Sequence, residues 1–299
     1  MTDEKTVIAL GFFDGVHLGH AALINKTRAR AAELGASSAV LTFDVHPEKL
    51  IRGVEIPLIN NAVGRADILR RLFDVDEIVS VHFDEETMHT PWRDFIRSLV
   101  IGLGVAHLVM GHDFHCGYRG EGTAERIVEY CKELGIGYDV IPEVKKDGIT
   151  VSSTYIRKLI SEGNIRRANE FLGHPHILMD TVRDGCKLGR GLGAPTINMQ
   201  FPRGVVVPRY GVYATKAFFD NSEHIAVTNI GVKPTVNMDN KLSVETHILD
   251  FEGELYGCPV RLEFYEFLRP EEKFNNLEEL KAQIARDIDA ARAYFKQLA

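Results

Sequence analysis

Gly11-Phe12-Phe13-Asp14-Gly15-Val16-His17-Leu18-Gly19-His20 decides how the first half of this 299-residue chain is read. The stretch ends an apolar, β-rich run over residues 6–13 and opens a helical pattern over residues 18–34. A strand that enters a helix through glycines leaves backbone N–H groups and the positive end of the helix dipole free for an anion. His17 and His20 are three apart, so they share a face of the first turn and both can donate to that anion. Histidines at a helix start often act only as caps or surface groups, but here two of them converge with two glycines and Asp14 at one strand end.

Outward from this stretch the pattern repeats. Residues 38–43, 77–83, 106–110 and 138–141 read as further strands, and residues 63–73, 91–103 and 124–134 as helices between them. Crossovers of that length demand parallel pairing, so the spacing predicts a doubly wound α/β sheet with ligands at the carboxyl ends of its strands. Helices over 152–162 and 165–171 close this half. After Gly173-His174-Pro175 the texture changes to short strands, 177–183, 211–219, 224–230, 244–251 and 260–268, without helices between them. That reads as an antiparallel β-barrel. A terminal α-helix follows, its stripe of Leu277, Leu280, Ile284, Ile288, Ala291 and Phe295 expected to dock on the barrel. The expected domains are 1–174 and 175–299.

Composition narrows the function. With 35 basic and 42 acidic residues the net charge is −7, spread as 20 basic against 25 acidic before His174 and 15 against 17 from there on. No basic footprint for nucleic acid is present, and phosphate-rich ligands need a local site. The most apolar stretch, residues 98–111, is interrupted by Gly102, Gly104 and His107, so no membrane span is expected. Met1-Thr2-Asp3-Glu4-Lys5 has no signal-peptide pattern, and the expected address is cytoplasmic. Cys116, Cys131, Cys186 and Cys258 lie far apart and read as free thiols. No obligate protein partner is implied.

The densest glycine segment runs from Gly185 to Asn198. Its backbone could approach phosphates closely, though a plain surface loop is an equal reading, and it contains no Walker motif. Thr196 and Asn198, two apart in an extended segment, offer a hydroxyl and a carbonyl oxygen on one side to a hard cation. Glu245 interrupts an otherwise apolar strand, either as its exposed face or as a general base. Arg269, with Phe267 and Leu268, could simply precede a helix as its cap.

The first stretch resembles the G-x-F-D-G-x-H-x-G-H signature of nucleotidyltransferases, and Val151-Ser152-Ser153-Thr154-Tyr155-Ile156-Arg157 resembles their S-S-T-x-I-R segment. Thr42-Phe43-Asp44-Val45-His46-Pro47 and Gly111-His112-Asp113-Phe114-His115-Cys116-Gly117 are similar to the flavin end of that site in the bifunctional riboflavin kinase and FAD synthetase family, which usually carries an aromatic at Cys116 and a proline at Val45. Pro195-Thr196-Ile197-Asn198 resembles the P-T-x-N motif of riboflavin kinases, and the likeness continues through Tyr210-Gly211, Asn229-Ile230-Gly231, Glu245 and 267–271. The resemblance implies that ATP phosphorylates riboflavin to FMN in the second domain and adenylylates FMN to FAD in the first, with Mg2+ serving both steps. It implies His17, His20 and Arg157 as catalytic groups of adenylyl transfer. Gly11, Phe13, Asp14, Gly15, Ser152, Ser153 and Thr154 would hold its ATP, and His46, Asp113, Phe114 and Cys116 its flavin. For the kinase it implies Glu245 as base, Thr196 and Asn198 on Mg2+, Gly185, Lys187, Gly189, Gly193, Tyr210 and Gly211 on ATP, and Phe267, Leu268 and Arg269 near the flavin. From the residues alone, a kinase whose first site has drifted, or a flavin carrier without turnover, stays open.

Overall fold

The computed structural model describes residues 5–183, 195–233 and 241–298. Gly185, Lys187, Gly189 and Gly193 lie outside them. By contacts the chain forms two compact units, residues 1–57 with 65–153, and residues 58–64 with 154–299.

The first unit is built on β1 (Thr6–Leu10), β2 (Ser37–Phe43), β3 (Glu77–Val81), β4 (Val105–Gly111) and β7 (Gly137–Ile141), all parallel in the order β3-β2-β1-β4-β7. The central strand is buried throughout, as a strand covered on both faces must be. Its connections include α1 (Leu18–Leu34), α3 (Ala62–Phe73), α5 (Trp92–Leu103) and α6 (Ala124–Leu134), as the periodicity implied. Short elements without a long periodic signal complete it: α2 (Pro47–Arg52), α4 (Glu85–His89), β5 (His115–Cys116) paired with β6 (Gly122–Thr123), and β8 (Lys145–Lys146) paired with β9 (Ile149–Thr150). The first strand stops at Leu10 rather than at residue 13. Phe13 turns left-handed at φ 59° and Gly15 at φ 78°, which no strand accommodates.

The expected helices after residue 152 form as α7 (Ser153–Ser161) and α8 (Ile165–Leu172). From Thr154 onward they associate with the second unit rather than the first. Ile165, Ala168 and Phe171 of α8 are buried, and the Asn169 amide donates to the carbonyl of Phe264 while accepting from the N–H of His176, each at 2.8 Å. The sheet of this unit is antiparallel, ordered β10 (His176–Thr181), β15 (Pro259–Arg269), β12 (Gly211–Phe219), β13 (Ser222–Lys233), β14 (Lys241–Ile248) and β11 (Thr196–Met199). An antiparallel bridge between Arg183 and Asn198 joins its two edges into a barrel. Inside, a chain of buried hydroxyls runs Thr215, Thr228, Thr246 at 2.8 and 2.9 Å. Outside, α9 (Leu277–Leu298) seats Ala291 and Phe295 against Ala214, Val227 and Leu268. Only that half of the stripe docks tightly. Leu280, Ile284 and Ile288 wall a cavity, and Leu277 is exposed.

Candidate functional site

At the carboxyl end of β1 the chain passes through Gly11 and the left-handed Phe13 into a single 3-10 turn, Asp14–Val16. Val16 is also left-handed, at φ 44°, a costly conformation for a β-branched residue that the surrounding fold must hold in place. His17 then caps α1: its Nδ1 accepts the backbone N–H of His20 at 3.3 Å. A neutral ring that accepts at Nδ1 carries its proton on Nε2. The His17 and His20 rings stack with centroids 3.6 Å apart and planes within 11°. His20 Nδ1 is sealed from solvent without a hydrogen-bond partner among the described residues. Burial first, then the charges of His17 and Arg65, push the His20 pKa well below the usual imidazole value, so its ring is neutral near pH 7.

One other predicted phosphate ligand has a direct bond to this turn. Ser153, first residue of α7, donates from its hydroxyl to the carbonyl of Asp14 at 3.0 Å. A Cβ at Gly19 would stand 3.1 Å from the His17 ring, a tight contact that glycine avoids. Arg157 lies a turn further along α7, its guanidinium on the Thr154 hydroxyl at 3.1 Å. His46 caps α2 through its Nδ1, and its ring meets the edge of Phe12 with centroids 4.6 Å apart.

Past the end of β4, a cavity of about 400 Å³ is lined by His112, Asp113, Phe114, His115, Gly120 and Thr123 among others. Asp113 and Phe114 both line it. Cys116 is not among the lining residues; it packs against the core cluster that holds Trp92 and Phe95. Burial pushes its thiol up to about 12, consistent with an inert apolar contact.

The second site is written in strand register. Asn198 of β11 stands opposite Glu245 of β14, which stands opposite Asn229 of β13, which stands opposite Val212 of β12. One step away, Thr196, His247 and Val227 form the adjoining row on the same face. Over these rows lies a cavity of about 350 Å³, closed by Arg269, Glu271, Phe274 and the Leu280, Ile284, Asp287 and Ile288 face of α9. Glu245 is half-buried at its floor. Arg269 is clamped by Asp287 through two hydrogen bonds of 2.9 and 2.8 Å, and Gln283 donates to the same carboxylate. A smaller cavity of about 50 Å³ shares Thr196 and adds Pro195, Asn198 and Thr246.

Two expected flavin contacts fall elsewhere. Phe267 packs on Tyr213 at 5.2 Å and Leu268 on the α9 cluster, because a bulge in the β12 to β15 pairing turns Arg269 alone toward the large cavity. Tyr210 is exposed ahead of β12, and Gly211 opens that strand. Sequence reasoning missed Asn229 and Asp287 as lining residues, and it missed Arg65 entirely. Asn229 sits in a stretch already singled out, so its register was the missing information.

Comparisons with known proteins divide the chain in a similar way. A family model described as FAD synthetase matches residues 1–155 and one described as riboflavin kinase matches residues 172–295. The bifunctional riboflavin kinase/FMN adenylyltransferase of Listeria monocytogenes is 36% identical, over 99% of this chain and 95% of that protein. Those of Bacillus subtilis and Escherichia coli are 35% and 32% identical, covering 98% of this chain and 94% and 93% of theirs. A crystal structure described as a macrolide-efflux protein from Streptococcus pneumoniae superposes with a TM-score of 0.86 at 26% identity, over 98% of this chain and 95% of that one.

Proposed function

Because the chain belongs to the bifunctional riboflavin kinase/FMN adenylyltransferase family, we propose that residues 1–174 carry its adenylyl transfer and residues 175–299 its kinase step. The protein is an ATP-using enzyme that phosphorylates riboflavin to FMN and transfers AMP to FMN, giving FAD and pyrophosphate.

In the kinase half, Glu245 takes the proton of the ribityl 5′-hydroxyl as that oxygen attacks the γ-phosphorus of ATP and ADP leaves. The meeting of Thr196, Glu245 and Asn229 at the floor of the large cavity, with Asn198 beside Glu245 in register, is the observation that carries this reading, since three polar groups from three strands converge where an apolar lining would otherwise close the pocket. Thr196, Asn198 and Glu245 present hydroxyl, amide and carboxylate oxygens, a donor set that fits Mg2+. Thr196 and Asn198 would hold the ion, which when bound neutralises charge on the triphosphate. Arg269, fixed by Asp287, orients the flavin end of the substrate.

In the adenylylating half, an oxygen of the FMN phosphate attacks the α-phosphorus of ATP and the bond to the β-phosphate breaks, releasing pyrophosphate. The protein supplies no nucleophile. The backbone of the Gly11 to Gly15 loop, the His17 Nε2–H, His20 and Arg157 hold the phosphoryl oxygens, and Ser152, Ser153 and Thr154 support the triphosphate. Asp113 and Phe114 hold the flavin. A cytoplasmic place for both reactions agrees with the observation that no helix among the described residues is long and apolar enough to cross a membrane.

Riboflavin, ATP and Mg2+ supplied together, with products separated by chromatography, test the whole reading. FMN followed by FAD is expected, and pyrophosphate should appear in step with FAD. FMN without FAD would remove the adenylyl-transfer assignment, and no conversion would remove both.

A further inference from the structure

Arg65, on the first turn of α3, is 1% exposed, the largest fully buried side chain among the described residues. Its Nη2 donates to the carbonyl of Phe43 at 2.6 Å, at the carboxyl end of β2. Its guanidinium carbon lies 4.5 Å over the ring of Phe12, in the loop after β1. Phe12 is itself tied to β2, since the Thr42 hydroxyl donates to its carbonyl at 2.7 Å. Arg65 therefore joins the two loops that carry Phe13, Asp14, His17 and His20 on one side and His46 on the other.

A buried cation is a poor choice for that task alone. An apolar side chain of similar length would fill the space without desolvating a charge. Arg65 Nη1 even lacks a hydrogen-bond partner among the described residues. Burial draws the guanidinium below its ordinary pKa, and the charges of Asp14 and Asp44 hold it up. Of these two carboxylates only Asp14 is buried. Asp14 is 3% exposed in the turn leading to the histidine pair, and Asp44 follows β2, where it accepts from His82 at 2.6 Å. Asp44 is exposed and already paired with His82, but the charge of the buried Asp14 lies in surroundings that screen it poorly, and left uncompensated it would oppose phosphates brought to this turn.

We propose that Arg65 is a positioning residue of adenylyl transfer: through the Phe43 carbonyl and the Phe12 ring it fixes the loop after β2 against the loop after β1, and it sets a buried positive charge in a site that must receive phosphates. The inference rests on reading the His17 and His20 loop as the phosphate site. It goes beyond that reading in assigning work to a side chain outside the loop.

The test uses the full chain with Arg65→Met and Arg65→Lys, measuring kcat and KM for ATP and FMN in adenylyl transfer. Riboflavin phosphorylation by the same preparations reports the amount of folded second unit, and denaturant unfolding followed by circular dichroism reports whether the first unit is folded. Arg65→Met should lower kcat/KM for adenylylation by roughly 30- to 100-fold, the scale of losing one preorganised electrostatic group. Arg65→Lys, which keeps the charge, should recover much of it. Kinase rates should stay at the parent value. Should Arg65→Met fail to fold, Arg65→Gln replaces it as the neutral variant. Parent-like adenylylation in the neutral variant, or a lysine variant no better than the neutral one, overturns the proposal. His20→Ala measured alongside separates the failures. If it too adenylylates normally, the phosphate-site reading falls; if it is crippled while the neutral Arg65 variant is not, only the role of Arg65 falls.

Discussion

The two sites are assembled in opposite ways. The site after β1 is local: within ten residues the chain leaves a buried strand, turns left-handed at Phe13, Gly15 and Val16, and caps a helix with His17. The site in the barrel is non-local: β11, β13 and β14 each contribute one residue to a single row, and a helix at the far end of the chain closes it. A local site depends first on the backbone conformation of its own loop and on the few side chains that hold that loop in place. A register-built site depends on strand alignment, because a one-residue slip would turn Glu245 away from Asn198 and Asn229. Chemistry confined to one site should therefore leave the other untouched.

The largest expected effect tests the register-built site. Glu245→Gln preserves volume and removes the proton acceptor, so FMN formation should slow by about 10²- to 10⁴-fold. Adenylylation of supplied FMN should hold. Initial rates of both products, separated by chromatography, decide it, and a parent-like kinase rate would return Glu245 to an ordinary strand face. The mirror experiment is His20→Ala, which should cut adenylylation on the order of a hundredfold. Riboflavin phosphorylation should continue, so FMN would accumulate where the parent makes FAD. Loss of both activities together would show that the sites are not separable in the way the comparison holds.

The same contrast governs what could be read from sequence. The glycines, the histidine spacing and the helix after them were legible because they act on neighbours in the chain. The parallel sheet was legible for a related reason, since long crossovers allow little else. Arg65 was not. One arginine in an amphipathic helix reads as surface, and only the fold brings Phe12 and Phe43 to it. Cys116 and Phe114 are two apart in sequence and both pack against the core cluster, yet only Phe114 also lines the cavity, a difference that the sequence pattern does not carry. The short helices α2 and α4 lack the length to show a period. The composition break at His174 marks where strands replace helices; contacts instead attach α8 to the barrel through Asn169. Asn169→Ala would strand a carbonyl and an N–H and should cost about 2 kcal/mol in denaturant unfolding of the second unit. An unchanged midpoint would mean that α8 contributes little there.

The smallest expected effect contrasts two histidines. His20 is half-buried at a site with only its Nδ1 sealed, whereas His176 is sealed in the fold: it is fully buried in β10, neither ring nitrogen has a partner among the described residues, and Phe264 lies 5.8 Å away. Burial first, then the nearby His174, pushes its pKa down to about 3. In the unfolded chain the same ring binds a proton near pH 6.5. Between those values the unfolded state holds a proton that the native state refuses, so stability is complete above pH 6.5 and declines as the pH falls toward 3. The slope reaches at most ~1.4 kcal/mol per pH unit. His176→Leu keeps the apolar contact with Phe264 and removes the titration, so its stability measured by denaturant unfolding at pH 7, 6 and 5 should fall less steeply than that of the parent. All other titratable groups are common to the two proteins, which leaves the difference in slope to His176. Parallel slopes would mean that the ring accepts its proton without unfolding the barrel, through an opening of β10 that the native packing does not show.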